Sequence, residues 1–324
     1  MKVPDLLEAP GAWLKDEPDS AIIISTRIRL ARNIQARAFP GWAGEDECKR
    51  VYAQLGEILL GLDLLKPAEQ WEAAALEPLE REVLRERHLI SNELAGKGPG
   101  SGLVLRRDES LSVMINEEDH LRIQALRPGF QLDALWQEID RLDTELGDKI
   151  PYAFSSRYGY LTACPTNVGT GLRASAMLHL PGLRLVKEME PIVKGLNTIG
   201  MTARGLLGEG TDALGNMFQI SNQSTLGESE PAIIARLKAI VCRPLSRVKS
   251  SEAVHDMPNA ASSPGTVSIA GVSVLHVTGP SLPAASRSAI AISGKLGSDA
   301  TTACVQVYVS PERDGPSSAI SAAA

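Results

Sequence analysis

The sequence predicts a fold in which α-helices and β-strands are mixed along a chain of 324 residues. A continuous apolar run over Ala21–Ile34 indicates a buried strand, and two apolar runs separated by charged residues over Leu103–Ile115 indicate a β-hairpin. Apolar residues recur at helical spacing over Glu45–Leu62 and Gln131–Leu146, which predicts two amphipathic helices. A chain of this length buries a sizeable core and holds one large or two medium domains.

The remaining elements follow from the same kinds of pattern. The sequence predicts, in chain order, a short helix within residues 1–20, a helix over Pro67–Arg87, a helix over Val186–Ile199, a strand over Met217–Ser221 and a helix over Thr225–Val241. Pro231 falls in the first turn of the last helix, where proline is tolerated. From Cys242 onward the chain is rich in Ala, Ser, Gly and Val, with candidate strands in TVSIAGVSVLHVTG and TTACVQVYVS.

The composition argues against several classes of protein. The formal net charge of -6 gives no reason to expect direct nucleic-acid binding. The longest apolar runs are far too short to span a bilayer, so we expect no membrane partner. The four cysteines are widely separated and form no CxxC pair, which argues against a zinc site or a disulfide framework. This cysteine usage fits a reducing compartment, and we expect a cytoplasmic protein.

Two charged segments follow predicted strands, and each allows two interpretations. Arg27 and Arg29 alternate with apolar residues, so both leave the same face of the first strand. They belong either to a solvated edge strand or to a charged pair beside the core. Asn116–Arg122, with the sequence NEEDHLR, places ionisable residues directly after an apolar strand, and these cannot all be buried unpaired. This segment is either a solvated loop or a catalytic cluster that faces a cationic substrate.

A third segment, Thr162–Ser175, combines a cysteine with a glycine-rich loop in the sequence TACPTNVGTGLRAS. Gly169 and Gly171 allow tight or positive-φ conformations and a close approach to a ligand. Cys164 lies beside hydroxyls and an arginine in the sequence, which favours a reactive thiol. Because the loop lacks the pattern of a P-loop, an ordinary turn between strands remains the alternative to a ligand-binding loop.

Together with the glycine-rich segment Arg204–Asn222, which leads into the strand Met217–Ser221, these segments place arginines and carboxylates at strand ends or in adjoining loops. The arginines are Arg27, Arg29, Arg122, Arg173 and Arg204, and the carboxylates are Glu117, Glu118 and Glu209. Guanidinium groups pair with the oxygens of a nucleoside triphosphate and stabilise a phosphoryl group in transfer. Carboxylates in the same cleft suit a cationic nucleophile that must be oriented and deprotonated. The Walker lysine and the protein-kinase motifs are absent from the sequence.

Several motifs make the chain resemble the phosphagen (guanidino) kinases. STRIRLARN, NEEDHLR, GYLTACPTNVGTGLRAS and RGLLGEGT with ISNQSTLG stand in the order and spacing of that family's catalytic domain, over residues 20–240. RHLIS and ISNQSTLG are typical of its bacterial branch, the protein-arginine kinases of the McsB family. The resemblance implies an α+β fold with a large antiparallel β-sheet flanked by helices, which is glutamine-synthetase-like.

The resemblance also implies a role for each matching residue. It implies nucleotide binding for Arg27, Arg29, His88, Arg122, Arg173 and Arg204. It implies that Glu118 positions and deprotonates the guanidinium and that Glu209 is the second substrate carboxylate. Cys164 matches the reactive cysteine, and Thr166 the hydroxyl that tunes it. The implied cofactors are ATP and Mg²⁺, with the ion held mainly through the nucleotide and no protein metal site.

The function implied by the resemblance is an ATP-dependent kinase of arginine side chains in proteins, with a role in stress response. Two alternatives stay open, namely a kinase of a free guanidino metabolite such as arginine and an inactive truncated scaffold that retains ATP or partner binding. The implied partners are a heat-shock repressor of the CtsR type as protein substrate, a zinc-finger activator of the McsA type and the Clp protease machinery.

The resemblance divides the chain at Val241. Residues 1–241 correspond to the catalytic domain, whereas the Ala/Ser/Gly/Val-rich residues 242–324 stand where the bacterial family continues with charged helices. We therefore expect residues 242–324 to form an atypical, poorly ordered tail that results from a frame shift or a replaced C-terminus. A genuine small β-rich appendage is the alternative.

Overall fold

The computed structural model describes residues 3–15, 17, 20, 22–185, 189–205, 214–253, 265–269, 272–277, 289–294 and 305–308. The chain divides into two compact units, Met1–Val241 and Cys242–Ala324. Among the described helices, none combines the length and the apolar character that a membrane crossing requires.

The first unit is built on strands β1 to β10. In chain order these are Ile23–Arg32, Ala68–Glu72, Gly102–Arg106, Leu111–Ile115, Leu121–Pro128, Phe154–Ser155, Gly159–Tyr160, Leu172–His179, Met201–Gly205 and Met217–Asn222. Eight of them form one sheet in the order β2-β3-β4-β5-β1-β8-β10-β9, while β6 and β7 pair as a separate hairpin. Every neighbouring pair in the large sheet is antiparallel, so the predicted α+β fold with a large antiparallel sheet is confirmed.

The helices follow the apolar spacing of the sequence. Helices α1 to α7 are Glu45–Gly61, Pro78–Glu86, Asn92–Ala95, Leu132–Gly147, Pro181–Leu185, Met189–Thr198 and Glu230–Ala253. The leading segment, for which the sequence predicts a short helix, forms two short 3-10 helices, Val3–Glu8 and Ala12–Leu14. Helix α7 contains Pro231 as its second residue and continues past Val241, where the predicted helix ends.

The segment Pro67–Arg87 is not one helix, as the sequence predicts. Its first part is the edge strand β2, which pairs with β3, and Trp71 of this strand packs against the core cluster that contains Leu103. The helix α2 begins only at Pro78, where Glu77 and Glu80 form a capping box. Packing against the sheet therefore overrides the helix propensity of the alanines and charged residues before Pro78.

The two faces of the large sheet differ in chemistry, because side chains alternate along each strand. On β1, Ile28 and Leu30 are fully buried and share a face with Arg32. Helix α4 packs against β1 and β5 and covers this apolar face with leucines and Ile139. The opposite face of β1 carries Arg27 and Arg29.

Arg32 belongs to the apolar face and is only 2% exposed. Its guanidinium forms a bidentate ion pair with Asp143 of α4, with Nη2 at 2.7 Å from Oδ2, and lies 3.5 Å from the centroid of the Tyr160 ring. Arg32 also donates to the carbonyl of Thr170. This arginine therefore fastens α4 and the loop before β8 to the sheet.

In the second unit, strands β11 (Gly265–Ile269), β12 (Val272–Val277), β13 (Ala289–Gly294) and β14 (Val305–Tyr308) form a four-stranded antiparallel sheet in that order. The candidate strands in TVSIAGVSVLHVTG and TTACVQVYVS are thus confirmed. The poor order expected of residues 242–324 stays a prediction.

Candidate active site

The register of the central strands brings four of the predicted arginines onto one face of the sheet, called here the arginine face. Arg29 on β1 lies directly opposite Arg173 on β8. On the other side of β1, Arg122 of β5 lies opposite Ala31, which is two residues after Arg29 and therefore on the same face. Arg27, two residues before Arg29, shares this face as well. The solvated-edge interpretation of this arginine pair is wrong, because β1 is a central strand.

Arg204 reaches the same face through β9. Its cross-strand neighbour on β10 is Gln219, whose Oε1 accepts a hydrogen bond of 2.7 Å from Nη2 of Arg27. Gln219 therefore lies between Arg27, to which it is hydrogen-bonded, and Arg204, which is its cross-strand neighbour. The side chain of Arg204 is exposed, whereas those of Arg27, Arg29, Arg122 and Arg173 are half-buried.

The arginine face is electrostatically unfavourable by itself. Burial, together with Arg122 and Arg173, lowers the pKa of Arg27 to about 10. Burial and neighbouring arginines also lower the pKa values of Arg29 and Arg173. In the described part of the chain, no carboxylate forms an ion pair with these three arginines. Since like charges placed directly opposite on neighbouring strands are destabilising, the face is suited to a polyanion.

The acidic loop between β4 and β5 closes one side of the arginine face. Glu117 is fully buried and accepts hydrogen bonds from Arg122 Nη1 and Ser91 Oγ. The next residue, Glu118, has a side chain that is 42% exposed, with Oε2 at 3.2 Å from Arg122 Nη2. Burial raises the pKa of Glu118 against the opposing effect of Arg122, and the Glu117 charge adds to the increase. Glu118 is thus the accessible carboxylate of the loop, with a raised affinity for a proton.

Asp119 links this acidic loop to the cysteine loop. Its Oδ1 accepts hydrogen bonds of 2.6 Å from Asn33 Nδ2 and of 2.6 Å from the backbone N–H of Ala163. Asn33 in turn accepts from the His120 N–H and donates to the Leu161 carbonyl. Asp119 is only 1% exposed, and burial raises its pKa. The solvated-loop interpretation of NEEDHLR is therefore wrong, because three of its acidic and histidine side chains are buried and held in place.

The cysteine loop is fixed by close backbone packing. Gly169 and Gly171 have φ values of 114° and 63°, as the sequence predicts. A Cβ at Gly169 would lie 2.3 Å from the Thr225 carbonyl oxygen, so only glycine fits there. Cys164 Sγ lies 3.1 Å from Thr166 Oγ1. Burial lowers the pKa of Arg173, and an electrostatic interaction with Cys164 acts in the opposite direction. The loop therefore holds Cys164, which is half-buried, within electrostatic range of Arg173 on the arginine face.

Two predicted site residues remain, His88 and Glu209, and the structure describes only His88. The main chain of His88 accepts a hydrogen bond of 2.8 Å from Gln124, and its ring is close enough to Arg27 for that charge to affect its pKa. Glu209 lies outside the described residues. Among the side chains that the structure describes, no group of three or more His, Cys, Asp or Glu residues is placed to hold a metal ion.

Residues 54–246 match the ATP:guanido phosphotransferase family over its C-terminal catalytic domain. The chain belongs to this family. The predicted resemblance to phosphagen kinases is thereby confirmed, and the chain is a phosphotransferase of the guanidino kinase type. The arginine face fits the ATP in the family's name, because it offers half-buried guanidinium groups to an anion.

Relatives and solved structures agree with this assignment. The chain is 46% identical over 253 residues to the protein-arginine kinase of Pelotomaculum thermopropionicum, covering 75% of this chain and 69% of the relative. It is 45% identical over 241 residues to that of Moorella thermoacetica, covering 73% and 69%. The fold is similar to a taurocyamine kinase of Schistosoma mansoni (TM-score 0.63, 26% identity) and to a lombricine kinase (TM-score 0.63, 24% identity).

The fraction of the solved structure that this chain covers differs between the two kinases. The match covers 74% of this chain but only 35% of the duplicated taurocyamine kinase, so the chain spans about a third of that protein. It covers 78% of this chain and 71% of the lombricine kinase.

The contacts of several residues of this kinase site are not evident from the sequence motifs, although Asn33 and Ser91 end the motifs STRIRLARN and RHLIS. Gln219 bonds Arg27, Ser91 bonds Glu117, and the Asn33–Asp119 pair joins the two loops. Asp119 stands inside NEEDHLR, so its position is visible, but its partner Ala163 lies 44 residues further along the chain. The alternation of polar residues along β10 is the one sequence signal that points to Gln219.

Proposed function

We propose that this chain is an ATP-dependent protein-arginine kinase, which transfers the γ-phosphoryl group of ATP to arginine side chains of proteins. The observation that carries the proposal is the arginine face with a carboxylate, Glu118, at its side. Relatives named protein-arginine kinase that are 45–46% identical support the choice of acceptor.

The described residues divide the chemistry between two groups. ATP, when bound, supplies the phosphoryl group, and Mg²⁺ is held mainly through the nucleotide. Arg27, Arg29 and Arg173 neutralise phosphate charge, with Arg122 and Arg204 at the two sides of the face. A guanidinium nitrogen of the target arginine forms a bond to phosphorus while the bond from phosphorus to the ADP oxygen breaks. The proton that this nitrogen loses passes to Glu118.

Glu209 is proposed as the second carboxylate that orients the guanidinium. By the same resemblance, we propose a cytoplasmic enzyme that acts on a heat-shock repressor of the CtsR type, with a zinc-finger activator and the Clp protease machinery as partners. Residues 1–241 are proposed as the catalytic domain.

The acceptor test compares protein arginine with free arginine. With Mg-ATP, we expect acid-labile, alkali-stable phosphate on arginines of a test protein, measured by phosphate release and peptide mass spectrometry. The Glu118→Gln variant is the matched control for background transfer. Rapid phosphorylation of free arginine with none on protein would instead favour the second candidate, a kinase of a free guanidino metabolite.

That second candidate is supported by the likeness to a taurocyamine kinase. A third possibility, a scaffold that binds ATP or partners without turnover, is distinguished by nucleotide binding without transfer to either acceptor.

Cys164 is expected to assist transfer without carrying the phosphoryl group. Its sulfur contacts the Thr166 hydroxyl and lies near Arg173, which fits an electrostatic role beside the substrate guanidinium. Cys164→Ala should therefore lower turnover without abolishing it, as measured by initial rates at saturating ATP. Mass spectrometry of the enzyme during turnover should show no phosphocysteine, and trapping one would refute direct transfer.

A further inference from the structure

Trp13, in the leading 3-10 turn Ala12–Leu14, is a buried residue that the proposed chemistry does not use. It is 7% exposed, and its indole N–H has no hydrogen-bond partner in the described part of the chain. A Cβ at Gly11 would lie 3.0 Å from this nitrogen, so the preceding glycine permits the close packing. Because a buried indole N–H normally finds a partner, the position of Trp13 calls for a reason other than core filling.

The turn that carries Trp13 lies on the arginine face of the sheet. It packs against β1 and β5, whose other face is covered by α4. The Trp13 ring meets the His88 ring edge to face, with centroids 4.7 Å apart and an interplanar angle of 62°. The main chain of His88 is bonded by Gln124, the cross-strand neighbour of Arg29. The two aromatic rings therefore stand at one side of the arginine cluster.

The Trp13–His88 side of the arginine face is uncharged, whereas its centre carries the arginines. Burial, reinforced by the nearby charge of Arg27, lowers the pKa of His88 to about 4, so the imidazole is neutral near pH 7. A neutral imidazole has one donor and one acceptor nitrogen, and it suits an uncharged heteroaromatic ring better than a phosphate. The backbone of His88 has a φ of 59°, an uncommon conformation for a residue other than glycine, which the surrounding contacts must maintain.

We propose that Trp13 is a positioning residue, which holds the His88 ring at the end of the arginine face that receives the base of the nucleotide. The inference rests on the proposed use of ATP, and it assigns to the leading segment a part in nucleotide recognition. Phosphate affinity comes from the arginines, whereas affinity for the base depends on the Trp13–His88 pair.

The test separates base recognition from phosphate recognition. Binding of ATP and of inorganic tripolyphosphate, which has no base, is measured by isothermal titration calorimetry for the full chain and its variants. An aromatic pair contributes enough that Trp13→Ala should weaken ATP binding by about threefold to tenfold. Binding of tripolyphosphate should stay within about twofold of the unchanged protein, since the arginines are untouched. Trp13→Phe keeps a ring beside His88 and should restore most of the ATP affinity.

Leu6→Ala is the control for a loss of stability alone. Leu6 is also buried in the leading segment, but it packs in a core cluster with residues such as Leu84. This variant should melt at a lower temperature and still bind both ligands as the unchanged protein does. If Trp13→Ala is not folded, the comparison rests on Gly11→Ala, whose added Cβ would lie 3.0 Å from the Trp13 indole nitrogen and shift the ring; this variant should weaken ATP binding and leave tripolyphosphate binding unchanged.

Two results would overturn the proposal. Equal ATP affinity in the unchanged protein and in Trp13→Ala, or in Gly11→Ala where Trp13→Ala is not folded, would show that the ring does not act on the site. Equal weakening of ATP and tripolyphosphate binding would show that Trp13 only supports the fold of the arginine face. The proposed kinase function fails in a different way, because the unchanged protein would then transfer no phosphoryl group from ATP to protein arginine, whatever its affinity for the two ligands.

Discussion

Replacing Glu118 with glutamine should lower turnover by roughly 10²–10⁴-fold, the usual cost of removing a general base. Glutamine keeps the size of the side chain and one hydrogen-bond acceptor for Arg122, but it cannot take a proton from the guanidinium. Glu118 is the accessible carboxylate of the acidic loop, and burial raises its pKa, which makes it a better proton acceptor. Binding of ATP should persist, because the arginines of β1 and β8 are unchanged.

The measurement is the initial rate of transfer to protein arginine, together with the dissociation constant for ATP. Glu93→Gln is a matched control, since the Glu93 charge acts on Glu118 from the exposed first turn of α3 and Glu93 is not assigned to the chemistry. It should change the rate little. Turnover of Glu118→Gln near that of the unchanged enzyme would exclude Glu118 as the base.

Arg32→Met should destabilise the fold more than any substitution on the arginine face. The change leaves Asp143 as an uncompensated charge next to the apolar core, and breaking a buried pair in this way costs about 3–5 kcal/mol. It also removes the hydrogen bond from Arg32 to the Thr170 carbonyl and the contact with the Tyr160 ring. The free energy of unfolding, obtained from urea denaturation followed by circular dichroism, measures the loss.

The double variant Arg32→Met with Asp143→Leu serves as the control. It removes both charges and fills the space with apolar atoms, so it should be more stable than Arg32→Met alone. A double variant that is less stable than the single one would mean that packing of the guanidinium, and not its pairing with Asp143, dominates.

Strands and the polarity of their two faces could be predicted from the sequence where apolar and polar residues alternate along the strand. The spacing of Arg27 and Arg29 places both on one face, and the structure confirms this. The sequence did not reveal that Arg32, three residues further on, serves the opposite face, because its partner Asp143 lies on a helix 111 residues away. The only local indication is the spacing: Arg32 is three residues after Arg29, and side chains an odd number of residues apart on a strand point to opposite faces.

The edge strand β2 shows where propensity fails. Alanines and glutamates before Pro78 favour a helix locally, yet pairing with β3 and the packing of the partly buried Trp71 decide the conformation. The link from Asp119 to Asn33 and Ala163 is likewise a long-range contact. Residue types can indicate that a buried carboxylate needs partners, but only the folded chain identifies them.

The direct opposition of Arg29 and Arg173 has a consequence for the thermodynamics of the whole domain. In the absence of a polyanion, the repulsion between these half-buried cations subtracts from the folding free energy, and a bound triphosphate removes that penalty. Binding that favours the native state raises stability with the logarithm of free ligand concentration. With ATP as the proposed polyanion, the free energy of unfolding of this domain should therefore rise with the concentration of nucleotide.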